Sequence, residues 1–186
     1  ATDNVIYGIA TKGDYTATYL LKYDTSGTLI WSRRFTQTGS VTVRFESVCT
    51  DTSGNVYVAG RYNLSGKDSG FYAKYNSSGT LQFQRRIWYG ATSSRYQMST
   101  CNRAFISADG ALVMQYFYGA VPPTCFGGSY GIIKVPTDGS KTGTYSLGGR
   151  TLTIVASTIN ESNAGLSLDN SRFTIASSGA TSIATS

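Results

Sequence analysis

Two stretches of this chain, 52 residues apart, are copies of one another. Tyr19 to Phe35 (YLLKYDTSGTLIWSRRF) aligns without a gap on Phe71 to Ile87 (FYAKYNSSGTLQFQRRI), matching through Lys22 and Lys74, Tyr23 and Tyr75, the Ser-Gly-Thr-Leu turn and an Arg-Arg pair. An ungapped match of this length restricts the chain to architectures built by repetition. Within each copy, two runs of alternating apolar and polar residues flank a small polar turn that ends in Gly. That pattern predicts a β-hairpin.

The preceding segment repeats too. Asp3 to Ile9 resembles Gly54 to Gly60, with Asn4 matched to Asn55 at an offset of 51. Phe45 to Gly60 predicts a hairpin of its own, so Phe45 to Ile87 reads as four consecutive antiparallel strands. A third copy has drifted. Ala104 to Tyr116 keeps the first hairpin, with Gly110 against Gly54, and Gly131 to Gly139 keeps the second, with Lys134 against Lys74. The added length, Gly119 to Ser129, is expected in a loop, where closure entropy grows slowly with length.

The turns have a mechanism. Asp24-Thr-Ser-Gly27, Asp51-Thr-Ser-Gly54 and Asn76-Ser-Ser-Gly79 each open on Asp or Asn, whose side chain can accept from the backbone two residues on, and each close on Gly, which accepts positive φ. Alternation assigns Val56 and Val58 to one face and Tyr57 and Ala59 to the other, and sets Leu81 and Phe83 together, opposite Gln82 and Gln84. The thin use of helix formers and the abundance of Tyr, 14 in 186 residues, agree with an all-β chain.

After residue 141 the pattern changes. Leu147 to Ile159 is expected to supply a closing strand and Ser171 to Ser177 another, within a Ser/Thr-rich end. The division expected is 1–142 as three repeats, at about 3–44, 45–103 and 104–142, and 143–186 as closing strands and appendage. The chain begins without Met, inside an expected strand, which suggests a processed product or a piece of something larger.

Catalytic and metal chemistry have little to build on. The sequence has no His, so Ser-His and Cys-His pairs and His-based metal sites are excluded. Asp24, Asp51, Asp109 and Asp138 fall in turns, and Glu46 is the only Glu of the repeats. Asp51 to Asn55 lacks the distal Glu of an EF-hand loop and reads as a turn. No catalytic residue, metal ligand or cofactor site is assigned. Cys101 and Cys125 could pair, but all three cysteines, Cys49 included, are read as buried free thiols. The formal charge of +6 is spread along the chain, with Arg33-Arg34 and Arg85-Arg86 at matching positions; this argues against nucleic acid. No apolar run is long enough to insert in a membrane. Candidate contact residues for a ligand or partner are Tyr62, Trp88, Tyr89 and the loop residue Phe126, aromatic side chains expected near strand ends.

A repeat of 50 to 60 residues with four strands per unit describes a β-propeller. The motif at Asp51 to Gly60, followed by Phe71-x-Ala-Lys-Tyr75 and Ser78 to Leu81, resembles the bacterial β-propeller repeat of large surface proteins and of virion proteins of tailed bacteriophages. Gly143 to Gly149 and Phe173 to Ser178 are similar to segments of phage fibre and tail proteins. The resemblance implies a propeller-like array of about three four-stranded blades. It also implies a non-enzymatic structural or adhesive module of a virion, touching neighbouring subunits or a host surface. The alternative is a carbohydrate-binding propeller domain of a bacterial secreted or cell-surface protein. Three blades are fewer than a ring needs, so the expected partners are other protein subunits, in a homo- or hetero-oligomer, or the remainder of a longer chain, with surface glycan as a further candidate.

Overall fold

The computed structural model describes residues 4–13, 16–37, 39–90, 96–120, 128–147 and 150–163. Among these there is no helix, and every strand pairing is antiparallel. The strands are β1 (Val5–Thr11), β2 (Ala17–Asp24), β3 (Leu29–Thr36), β4 (Val41–Thr50), β5 (Val56–Leu64), β6 (Lys67–Tyr75), β7 (Leu81–Tyr89), β8 (Tyr96–Ile106), β9 (Leu112–Ala120), β10 (Gly128–Val135), β11 (Gly143–Leu147), β12 (Arg150–Ala156) and β13 (Glu161–Asn163). They form three sheets: β1-β2-β3-β13, then β11-β12-β7-β6-β5-β4, then β10-β9-β8. The four consecutive strands expected over Phe45 to Ile87 are present as β4 to β7, side by side in the middle sheet.

The hairpin turns do what their residues dictate. Asp24 Oδ1 accepts from the Ser26 and Thr28 amides, Asp51 Oδ1 from Ser53 and Asn55, and Asn76 Oδ1 from Thr80. The closing glycines Gly27, Gly54, Gly79, Gly110 and Gly139 all sit at φ between +74° and +84°. Each strand pair is thereby fixed in register, and a fixed register decides which side chains face inward.

The three sheets stack face to face, because the middle sheet buries both of its faces. Val56, Val58, Phe71, Ala73 and Tyr75 join Leu20 and Phe35 of the first sheet in one core; Tyr57, Ala59, Tyr72 and Ile87 join Cys101, Leu112, Met114, Ile133 and Val135 in the other. Each fully buried large apolar side chain contributes about 1.5–3 kcal/mol. The expected split of Val56 and Val58 from Tyr57 and Ala59 is therefore the split between the two cores. A recurrent packing accompanies it: β4 crosses over β1, β2 and β3, and β8 crosses over the middle sheet.

Register irregularities correct two sequence expectations. The pairing of β6 with β7 shifts between Lys74 and Tyr75, so that Tyr75 faces Leu81 while Lys74 faces Phe83. Gln82 is the extra residue, and it turns Leu81 into the first core and Phe83 into the second, so these two do not share a face. The same shift occurs between Lys22 and Tyr23. Likewise, Tyr7 pairs with Lys22 as Tyr57 pairs with Lys74, which makes the structural offset of β1 and β5 50 residues, not the 51 of the Asn4–Asn55 match.

The segment after residue 141 runs back along the stack. β12 pairs with β7, extending the middle sheet, and β13 pairs with β3, extending the first. Between them Ile159 enters the first core, and its amide and carbonyl bond both ends of the Gln84 side-chain amide, at 3.1 and 3.0 Å. The strand expected within Leu147 to Ile159 is thus an added strand of the middle sheet, lying between β7 and the edge strand β11. Ser171 to Ser177 lies outside the described residues.

Candidate binding surface

The repeated cations of the sequence join one sheet to the next. On the first sheet, Lys22 Nζ donates to the Ser77 carbonyl at 3.0 Å, Trp31 Nε1 donates to the same oxygen at 3.1 Å, and Arg33 Nε donates to the Gly79 carbonyl. On the middle sheet, Lys74 Nζ donates to the Thr137 carbonyl at 3.1 Å and Arg85 donates to the Gly139 carbonyl through two nitrogens at 3.1 and 2.7 Å. Each cation also lies over a ring of its own sheet: Lys22 on Tyr7, Arg33 on Trp31, Lys74 on Tyr57, Arg85 on Phe83, at 5.1 to 5.6 Å. A carbonyl-rich turn met by such a cation is a clasp that satisfies the turn's acceptors, the buried Gly79 and Gly139 among them, while holding two sheets in register. The identical Lys and Arg-Arg positions carried this signal in the sequence, but not which turn they reach.

Of the expected contact residues, the fold brings two together and separates a third. Tyr62 on β5 and Trp88 on β7 flank Arg86, whose guanidinium carbon lies 4.7 Å from one ring and 4.9 Å from the other. Arg86 Nε donates to Ser69 Oγ at 2.8 Å, and Ser69 Oγ donates to the Tyr62 carbonyl at 3.2 Å. Burial draws the Arg86 pKa down, with Tyr62 opposing. Tyr89, next along β7, points to the opposite face and packs on the second core. Phe126 and Cys125 lie outside the described residues. Unlike the clasp, this stack does not recur: the positions of Tyr62 and Trp88 in the first repeat hold Lys12 and Thr36.

The Asp51 carboxylate is committed to the fold. Asp51 Oδ2 accepts from Asn55 Nδ2 at 2.8 Å and from the Tyr57 hydroxyl at 2.9 Å, so both of its oxygens are engaged. Burial raises the Asp51 pKa, but these bonds outweigh it and leave the carboxyl below the usual range. Glu46 is the extra residue of a bulge between Phe45 and Ser47 and points into solvent. Cys49 and Cys101 are free thiols, each pushed up to about 12 by burial, with Asp51 adding to the effect at Cys49. Neither is a thiolate at neutral pH, and so neither is poised for nucleophilic attack. Among the described residues no cluster of His, Cys, Asp and Glu is arranged to hold a metal ion.

A recess of about 450 Å³ lies at the turn end of the third sheet, between Asp109 to Ala111 and Lys134 to Asp138. Asp109 pairs with Lys134; hydrogen bonds from Lys134 and Ser107 bring its carboxyl down to about 2. Asp138 Oδ1 accepts from the Ser140 amide at 2.9 Å. Both carboxyls are anionic at neutral pH, and neither can supply a proton as a general acid there.

The chain matches no protein-family model, and a search of the curated proteins finds no match. The functional reading therefore rests on its own residues.

Proposed function

We propose that this chain is a non-enzymatic structural or adhesive module of a bacteriophage virion, a propeller-like stack of repeats whose work is to hold its neighbours and offer rigid surfaces to other proteins. One observation carries the reading: the residues the repeat preserves are spent on joining units. Lys22 and Arg33, then Lys74 and Arg85, each clasp the turn of the following sheet. The three sheets succeed one another in chain order with the same faces meeting at each step, the relation that blades of a propeller bear to one another. The virion setting rests on the resemblance of the repeat and of the Ser/Thr-rich end.

A glycan-binding role would draw on Tyr62 and Trp88. Both rings already hold Arg86, and Tyr89 faces away from them, so the three offer no common platform for a sugar. The test is location. Antibodies raised against the purified chain should label phage particles in electron micrographs of lysates, and labelling confined to the soluble, particle-free fraction would sink the proposal.

A further inference from the structure

Among the described residues the stack ends on two open apolar faces. On the third sheet, Phe105, Tyr130 and Ile132 are 55%, 65% and 75% exposed. Their register partners in the middle sheet are covered: Ile132 stands where Tyr72 stands, and Tyr72 is fully buried under the third sheet. Lys134 stands where Lys74 stands, but it is half exposed and turned to Asp109 of its own sheet instead of a following turn. At the other end, the outer face of the first sheet carries Ile6, 55% exposed, with Tyr19, Leu21 and Tyr23 partly exposed. These occupy the positions of Val56, Phe71, Ala73 and Tyr75, which the middle sheet buries against the first. The turn at Asp24 to Gly27, counterpart of the two clasped turns, is exposed.

We propose that the outer face of the third sheet receives the outer face of the first sheet of a second copy of this chain. The inference rests on the stacking-module reading and names its partner. The two open faces are the two halves of an interface that the molecule already makes twice, first sheet on middle and middle on third. Lys134 would leave Asp109 for the carbonyls of the partner copy's Asp24 to Gly27 turn, as Lys22 and Lys74 reach theirs. The rest of the clasp is missing at this end, since among the described residues the third sheet is β10-β9-β8 and β11, the next strand of the chain, lies in the middle sheet, so no strand there takes the place of β7 with Phe83 and Arg85. The contact is accordingly weaker than the internal ones and reversible on dilution. Two different faces meet, so the association is heterologous, head to tail.

Sedimentation velocity over a dilution series decides it. The wild-type chain should form concentration-dependent oligomers. Ile132→Arg and Ile6→Arg, both at exposed positions, should each keep the wild-type circular dichroism and weaken association at least about tenfold. An equimolar mixture of the two should form dimers and nothing larger, because one variant offers only a first-sheet face and the other only a third-sheet face. A wild type that stays monomeric throughout, an Ile6→Arg variant that associates as the wild type does, or a mixture that stays monomeric would each overturn the proposal. A monomeric wild type whose antibody still labels particles would remove self-stacking and leave the structural-module reading in place; oligomers without particle labelling would do the reverse.

Discussion

At the scale of single residues, the repeat is most informative where it has lapsed. Arg86 Nε bonds Ser69 Oγ, whereas Nε of its counterpart Arg34 is buried without a partner among the described residues. The position of Ser69 in the first repeat is Ala17, itself 2% exposed, so no hydroxyl stands there beside the buried donor. A buried donor left unpaired costs about 1–3 kcal/mol, part of which a new acceptor recovers. Ala17→Ser should therefore raise the stability measured by urea unfolding by about 0.5–1 kcal/mol. A destabilised variant would mean that Arg34 Nε needs no acceptor at that place. The same comparison explains Arg33 and Arg34 as a pair: adjacent strand residues point to opposite faces, and only the first of them can reach the following turn.

At the scale of elements, the turns are where local chemistry and sheet stacking meet. Gly79 sits at φ +77° beneath Trp31, and a Cβ there would lie 2.8 Å from the indole; Gly139 sits at +74° beneath Phe83, the repeat counterpart of Trp31. Gly110 has φ +78° with nothing within 4 Å of where a Cβ would stand. Gly110→Ala should thus cost only backbone strain, about 1 kcal/mol, and Gly79→Ala about 1–2 kcal/mol more for the displaced ring. Equal thermal midpoints for the two variants would show that the indole moves aside freely. The hairpins and their turns were legible in the sequence because Asp, Asn and Gly act within five residues of chain. The bulges at Gln82 and Glu46 were not: an extra residue leaves alternation intact on either side and shifts only its phase. Nor was the return of β12 to β7 and β13 to β3, whose partners lie about 65 and 125 residues apart and whose short runs carry no pairing code. Of the contact residues, Tyr62 and Trp88 were rightly set near strand ends, but their common partner Arg86 was read only as one half of a repeated pair.

At the scale of the whole molecule, acid should loosen the stack from its turns. Asp24, Asp51, Asp109 and Asp138 all have carboxyls held below the usual range by hydrogen bonds to the turn backbone or neighbouring side chains. A depressed folded-state pKa contributes stability that is present above the unfolded value and lost as pH falls through the folded one. Glu161 runs the other way, its pKa raised by burial against the opposing charge of Arg33, so that its protonation favours the fold. With four groups set against one, the thermal midpoint should hold down to roughly pH 5 and decline between about pH 4 and 2. Asp109→Asn should flatten the lowest part of that decline, and a midpoint unchanged to pH 2 would contradict the assignment. The return of the chain after β11 bears on how the protein is made. The first sheet precedes the other two in the chain, yet its outer strand, β13, and the Ile159 side chain that fills its core follow β12. A growing chain on the ribosome must therefore keep this sheet unfinished until residue 163 has emerged, and the sheet waits for its edge until the strands of the other two have been made.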